Sequence, residues 1–385
     1  MENTPRLYNT LIGVLSQHRN WLDVRHLKTL ACMMVGLMES GMISLTAWAP
    51  HVVSKARYAQ STVRRFRRWL DNARIEVFPL YGPLIQEAIA QWGRNLLCLA
   101  LDTSMLWETY CMIRISIVYR GRAIPLVWDV LEHQSAQVGY EAYRHLLDRA
   151  KSLLPFGCRV VFLADRGFAD TELMKHLRRL RWHFRIRSKK SFGIYRKGHP
   201  RCRAGSISVA PGEALFWHNV LVTGKRFGPV HLAMGRRKES KECWFVISDE
   251  PTGPETFMEY GLRFDIEENF LDDKSNGFHL ESSLIRSADA LSRLCFVLAI
   301  TTLYLVSQGV EVVRQGKRRF VDPHWFRGSS YLKIGWKWIK LAMSRGYEIL
   351  TKVHLSSEPD PEPAIASRKH QHVQDRFAFD VQICA

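Results

Sequence analysis

Tyr260, Arg263, Glu267 and Lys274 stand three, four and seven residues apart in Tyr260-Gly-Leu-Arg-Phe-Asp-Ile-Glu-Glu-Asn-Phe-Leu-Asp-Asp-Lys274. Read as one helix at about 100° per residue, the four side chains fall within roughly 60° of one another. A phenol, a guanidinium, a carboxylate and an ammonium on one stripe suit a site that holds a metal ion by the carboxylate and phosphates by the cations. The phenol of Tyr260 can hydrogen-bond a phosphate oxygen. Structural ion pairs are the plainer use of Arg263 and Lys274, with Asp272 or Glu268 as partners.

Two more carboxylates extend the set. Asp102 ends the apolar run Leu96-Leu-Cys-Leu-Ala-Leu, and Asp165 ends Arg159-Val-Val-Phe-Leu-Ala. Such runs read as buried central strands, and in an open α/β sheet a site forms at the carboxyl ends of its strands. An Asp after a strand also serves as an ordinary turn cap. Glu267 is preferred to its neighbour Glu268, because a one-residue step turns the carboxylate about 100° away from Arg263 and Lys274. Three carboxylates make a hard, oxygen-only site for Mg²⁺ or Mn²⁺ and a poor one for zinc. Two such ions about 4 Å apart activate a water or a 3′-hydroxyl and stabilise the leaving oxygen of a phosphodiester.

The elements that position these groups follow from changes of period along the chain. Residues 7–92 are patterned as helices: Asp23 can cap a helix running to Met38, and Ser61 begins a segment to Leu70 with four arginines around an apolar seam. That basic face suits a DNA backbone or plain solvent equally. Strand-like segments at 96–102, 110–119 and 123–131 precede a helix at 140–154, a strand at 159–165, a helix at 171–182 and a strand at 183–187. The order strand, strand, strand, helix, strand, helix, strand is that of a ribonuclease-H-like α/β domain. Residues 188–253 are rich in Gly, Lys and Arg, with short alternations at 214–217, 218–223, 230–234 and 243–248 that fit a β-rich insertion. Helices resume at Pro254. The expected partition is a helical N-terminal DNA-binding region (1–93), an α/β core in two parts (94–187 and 254–315) split by the insertion (188–253), a helical C-terminal region (316–355), and a disordered tail (356–385).

Composition narrows the class. A hydrophobic share of 46% with 24% charged residues is that of a folded globular chain. Lys and Arg number 55 against 37 Asp and Glu, and the excess of 18 points modestly to a polyanionic partner, since cations on phosphates release condensed counterions. The eight cysteines are scattered with no CxxC pair, which argues for reduced thiols in a cytoplasmic protein and against a disulfide framework or zinc site. The start Met1-Glu-Asn-Thr-Pro is not patterned as a signal peptide. The most apolar run, 294–306, falls short of the roughly 20 residues a membrane span needs, so a buried helix is expected and no membrane partner.

The spacing Tyr-x2-Arg-x3-Glu-x6-Lys resembles the signature of the insertion sequence 4 family of bacterial DDE transposases, with all four positions matched. Asp102 in Leu-Asp-Thr-Ser and Asp165 in Asp-Arg-Gly-Phe168 resemble the family's first and second Asp motifs, and the 101 residues between Asp165 and Glu267 leave room for its insertion. The resemblance implies a cut-and-paste DNA transposase in which Asp102, Asp165 and Glu267 hold two Mg²⁺ or Mn²⁺ ions. Such enzymes cut both element ends through a DNA hairpin and join the freed 3′-hydroxyls to target DNA. They work as homodimers in the DNA complex, on the bacterial nucleoid. Tyr260, Arg263 and Lys274 would contact that DNA. Trp244 matches a tryptophan that helps hold a base flipped out near the cut, where an indole offsets lost stacking; a core tryptophan in a β-hairpin is the plainer reading. The amino-terminal segment carries no matched motif. Two rival functions remain: a nuclease without strand transfer, which needs neither stripe nor insertion, and a domesticated DNA-binding regulator, which would tolerate loss of the carboxylates.

Overall fold

Residues 4–18, 21–238, 240–274, 278–364 and 380–381 are described by a computed structural model. Five helices lead: α1 (Thr4–Ser16), α2 (Val24–Ser40), α3 (Leu45–Trp48), α4 (Ala59–Leu70) and α5 (Val77–Ala88). Asp23 caps α2 by accepting a hydrogen bond from the Arg25 amide. α4 starts two residues before Ser61, so Ser61 lies in its first turn and caps nothing. Arg64, Arg67 and Arg68 are exposed on this helix, whereas Arg65 turns inward.

The middle of the chain alternates as its periods predict: β1 (Leu96–Leu106), β2 (Tyr110–Tyr119), β3 (Arg122–Glu132), α6 (Tyr140–Leu153), β4 (Arg159–Ala164), α7 (Thr171–Arg179) and β5 (His183–Arg187). Then come β6 (Gly193–Tyr195), β7 (Cys202–Arg203), β8 (Glu213–Val222), β9 (Phe227–Arg236) and β10 (Cys243–Ser248). Two expected short strands, 214–217 and 218–223, are one strand, β8, whose register slips between Trp217 and Val220. That slip is a bulge, which breaks the alternation seen in sequence. The chain closes with α8 (Pro254–Gly261), α9 (Phe264–Lys274), α10 (Ala288–Arg314), α11 (Tyr331–Arg345) and β11 (Asp380–Val381).

Among the described residues the strands form one mixed sheet, ordered β3-β2-β1-β4-β5-β10-β9-β8-β6-β7, with β11 beside β8. β1 pairs parallel with β4 and β4 parallel with β5, while β2 runs antiparallel between β3 and β1. β10 adds antiparallel to β5, so the segment 188–253 continues the same sheet. The fold is therefore mixed α/β about one large sheet. The main apolar core runs from Leu7 to Leu355, and the amino-terminal helices share it with the sheet, while a second, smaller cluster gathers Ala214, Ala233, Trp244, Val246, Phe257 and Tyr260. Each Leu, Ile, Val or Phe buried there contributes roughly 1.5–3 kcal/mol.

α10 is the hub. By length and composition it is the one helix among the described residues that could cross a membrane alone, yet 94% of its apolar window is buried against the rest of the chain. It packs on β3, α2, α4, α5 and α11. Its approach to α11 depends on two glycines: a Cβ on Gly309 would lie 2.0 Å from the Tyr331 carbonyl, and one on Gly335 would lie 1.8 Å from that of Leu305.

Residues 356–364 of the expected disordered tail are held on the fold. Arg318 pairs with Glu362, Arg327 with Asp360, the Tyr331 hydroxyl donates to Asp360, and Arg120 donates to the Glu358 carbonyl. Arg318 and Arg327 are buried, and a buried guanidinium needs such partners. Residues 356–364 are thus strapped to the fold. The rest of that expected tail, apart from 380–381, lies outside the described residues.

Candidate active site

Asp102 and Asp165 sit on adjacent parallel strands. Leu101 is the register partner of Ala164, so the two aspartates follow at the next position of each strand. β1 runs on past β4 to pair with β2, whereas the chain turns away at Asp165, whose carboxylate caps a short 3-10 turn by accepting from the Gly167 amide. The Asp102 carboxylate accepts from the Thr103 amide at 2.8 Å.

The third carboxylate arrives on α9, which packs across β1, β2 and β3. The stripe does not lie on one regular helix. Between α8 and α9 the hydrogen bonds shorten to three-residue steps, Arg263 N–H to Tyr260 O and Ile266 N–H to Arg263 O, both at 3.1 Å. This tightened turn puts Tyr260 at the end of α8 and Arg263 at the joint, with Glu267 and Lys274 two turns apart on α9. Asp265 and Glu267 in the first turn of α9 and Lys274 in its last complement the helix dipole. A buried pair anchors the helix: Arg114 of β2 donates to Asp273 at 2.6 Å and to Asn269 at 2.7 Å.

Arg263 is the hinge of the electrostatics. Its guanidinium, 6% exposed, donates to Asp102 Oδ2 at 3.1 Å and to Glu267 Oε1 at 2.5 Å. The cation expected to face a phosphate is therefore clamped between two of the three carboxylates. Burial pushes the Asp102 carboxyl up to about 6; Arg263 and the Thr103 amide pull it down, while Glu267 and Asp165 push it up. One guanidinium does not satisfy the three acids.

The other stripe residues face the same region. The Lys274 ammonium donates to the Met105 carbonyl on β1, and burial holds its pKa down. Tyr260 is fully buried, with its ring 5.5 Å from that of Trp244 in an edge-to-face contact and burial raising its hydroxyl's pKa. Trp244 is the second residue of β10, is 7% exposed, and carries the Arg187 guanidinium 5.2 Å over its ring. The structure thus gathers Asp102, Arg263 and Glu267 in direct contact, sets Asp165 beside Asp102, and stacks Tyr260 and Trp244 behind them.

Two groups escaped sequence reasoning. An open cleft of about 640 Å³ holds Asp102 and Asp165 and is lined on its far side by Lys189, Lys190 and Ser191. The lysines stand one residue past β5, and two bases just beyond a strand end are the signal that could have pointed to them. Arg114 was the second: a lone arginine in the apolar run Cys111-Met-Ile-Arg-Ile-Ser-Ile must have a buried anionic partner.

The donor set suits a hard divalent ion. Asp102 and Glu267 meet on Arg263 and Asp165 stands at the adjoining strand end, an all-oxygen set without sulfur or imidazole, although among the described residues the three do not form a group tight enough to hold one ion as they stand.

No curated protein sequence matches this chain. Among solved structures, a piggyBac transposase synaptic complex with hairpin DNA aligns over 95% of this chain and 85% of its own, at 10% identity and a TM-score of 0.38, a likeness too weak to bear on fold or function. The decisive match is to the family described as Transposase DDE domain, over residues 109–304, which takes in Asp165 and Glu267 and begins just after Asp102. Covering 196 of the 385 residues, it shows that the chain belongs to the Transposase DDE domain family.

Proposed function

We propose that this transposase cuts the ends of a mobile DNA element and joins their 3′-hydroxyls to target DNA, with Asp102, Asp165 and Glu267 as the metal ligands. The observation that carries this reading is the meeting of Asp102 and Glu267 on one guanidinium, with Asp165 on the adjoining strand end. Two Mg²⁺ or Mn²⁺ ions held there would activate the attacking oxygen and stabilise the leaving one. Arg263 orients Asp102 and Glu267 and limits their mutual repulsion. Lys274 and the cleft lysines Lys189 and Lys190 supply positive charge along the path of a DNA strand.

The finer assignments are parts of the same proposal. The sheet order β3-β2-β1-β4-β5 supports a ribonuclease-H-like core of residues 94–187 and 254–315, interrupted by the β-rich segment 188–253. Residues 1–93 form the end-binding region, with exposed Arg64, Arg67 and Arg68 on α4. The Tyr-Arg-Glu-Lys spacing supports membership of the insertion sequence 4 family, and with it a homodimer, a hairpin route and a cytoplasmic, nucleoid-bound enzyme. In that route Trp244 stacks on an extruded base, with Tyr260 bracing the ring.

End-labelled element DNA, followed on a denaturing gel with Mg²⁺, tests the reading. Nick, hairpin, double-strand cut and joined product are expected in turn, and Trp244→Phe should slow the hairpin steps more than first nicking. Cleavage with no joined product would favour a plain nuclease, and binding with no cleavage a regulator.

A further inference from the structure

Glu242 is the meeting point of basic side chains at the rim of the cleft. Its Oε1 accepts from Arg187 at 2.6 Å and from Arg166 at 3.2 Å, and Lys190 adds its charge nearby. Arg166 and Lys190 line the cleft beside Asp102 and Asp165, and Arg187 covers the ring of Trp244. Glu242 itself belongs to the turn between β9 and β10, where its amide donates to Ser240 Oγ at 3.1 Å and where Arg237, Lys238 and Lys241 are its neighbours in sequence.

Stability does not account for the Arg166 arm of this pairing. The side chains of Arg166 and Glu242 are 58% and 43% exposed, and an ion pair that open contributes roughly 0–1 kcal/mol. Geometry does. A carboxylate bridging two guanidiniums sets an anionic oxygen where the oxygen of a phosphodiester would sit. Displacement of one anion by the other leaves both arginines paired and frees Glu242, which stays accessible in a surface turn.

We propose that Arg166 and Arg187 form a seat for a DNA phosphate beside the catalytic carboxylates, and that Glu242 fills this seat in the DNA-free chain. The proposal rests on the DNA-cutting reading above. Glu242 acts as a placeholder: it lowers the affinity for any isolated anion, and yields to a strand that brings further contacts along the cleft. Seating the phosphate also draws Arg187 away from Glu242, next to the tryptophan face it covers.

The test is binding of the full chain to a labelled DNA duplex of arbitrary sequence, by fluorescence anisotropy in EDTA over a range of salt. Glu242→Gln, with Glu242→Ala in parallel against misfolding of either one, should bind about five- to tenfold tighter at low salt. Its log affinity should fall more steeply with log salt, by roughly 0.9 for each phosphate gained. Glu242→Asp, which keeps the charge, should stay close to the native protein. Adding Arg166→Ala and Arg187→Ala to Glu242→Gln should erase the gain. Native-like affinity and salt slope in folded Glu242→Gln or Glu242→Ala, while the native protein binds DNA, would overturn the seat alone. Absence of DNA binding by every form, the native protein included, would sink the DNA-cutting reading and the seat together.

Discussion

Two clusters of acids occupy the two ends of the central sheet, one where β4 finishes and one where β4 and β5 begin and antiparallel β10 finishes, and they are built to opposite electrostatic ends. At the carboxyl ends, Asp102 and Glu267 share one arginine, and the Asp165 carboxylate beside them accepts only from the Gly167 amide among the described hydrogen bonds. At the amino ends, His183, Asp249 and Glu250 lie close enough to hold a metal ion, but arginines already fill the place. Glu250 takes Arg185 at 2.8 Å and Arg159 at 2.5 Å, Asp249 accepts from His183 at 3.0 Å and from the Phe184 amide at 2.9 Å. Burial raises Glu250, yet the hydrogen bonds from Arg185 and Arg159 overcome it and hold its carboxyl below the usual range. Asp102 is pushed the other way. Proximity of acids alone therefore does not mark a metal site where cations already meet them.

The largest effect that could break this comparison is on cleavage. Asp102→Asn, Asp165→Asn and Glu267→Gln should each reduce Mg²⁺-dependent cutting by about a thousandfold or more, with DNA binding retained. Asp249→Asn and Glu250→Gln should cut at near-native rates below their melting temperatures. Gel-shift and cleavage assays on one preparation decide it, and an active Asp165→Asn or an inactive Asp249→Asn would reverse the roles of the two ends.

Ion binding sharpens it next. At a hundred times its dissociation constant, Mg²⁺ should stabilise the native protein by about 2.7 kcal/mol, a rise of a few degrees in melting temperature. Asp102→Asn should abolish that rise and His183→Asn should leave it intact. The reverse pattern would move the metal to the amino ends.

The smallest effect is on stability without metal, and its sign differs between the ends. The folded Asp102 carboxyl, at about 6, lies above its ordinary 3.8, so its contribution is favourable below pH 3.8 and lost as pH rises through 6. Asp102→Asn should then exceed the native protein in stability at pH 8, by about 1–3 kcal/mol, with the difference closing at low pH. Glu250 is lowered from 4.5, so its contribution is present above 4.5 and lost as pH falls through the folded value. Glu250→Gln should lose about 1–3 kcal/mol at neutral pH and approach the native protein in acid. Denaturant titrations in EDTA across pH would show both.

Local pattern carried far in this chain. The apolar runs before Asp102 and Asp165 are strands β1 and β4, since a continuous apolar segment of that length has to be buried on both faces. Asp23 caps α2 because its carboxylate reaches an amide two residues away. Failures came where a distant segment intervened. Ser61, a residue type that opens helices as a cap, lies instead inside the first turn of α4, β8 carried a bulge, and residues 356–364 were captured by Arg318 and Arg327, whose burial that segment's own Pro- and Glu-rich composition does not reveal.

The stripe shows the same division. Sequence alone determined which residue types stand at helical spacing near residue 267 and which acids follow the two central apolar runs, because those are properties of short windows; that β1 continues four residues past Asp102 it did not show. Tertiary structure alone decided that Arg263 clamps Asp102, 161 residues away, that Tyr260 and Trp244 share one buried cluster, and that Asp102 and Glu267 share one arginine while Glu250 alone takes two. The physical reason is that desolvation and Coulomb energy depend on neighbours within a few ångströms, and folding chooses those neighbours from anywhere along the chain.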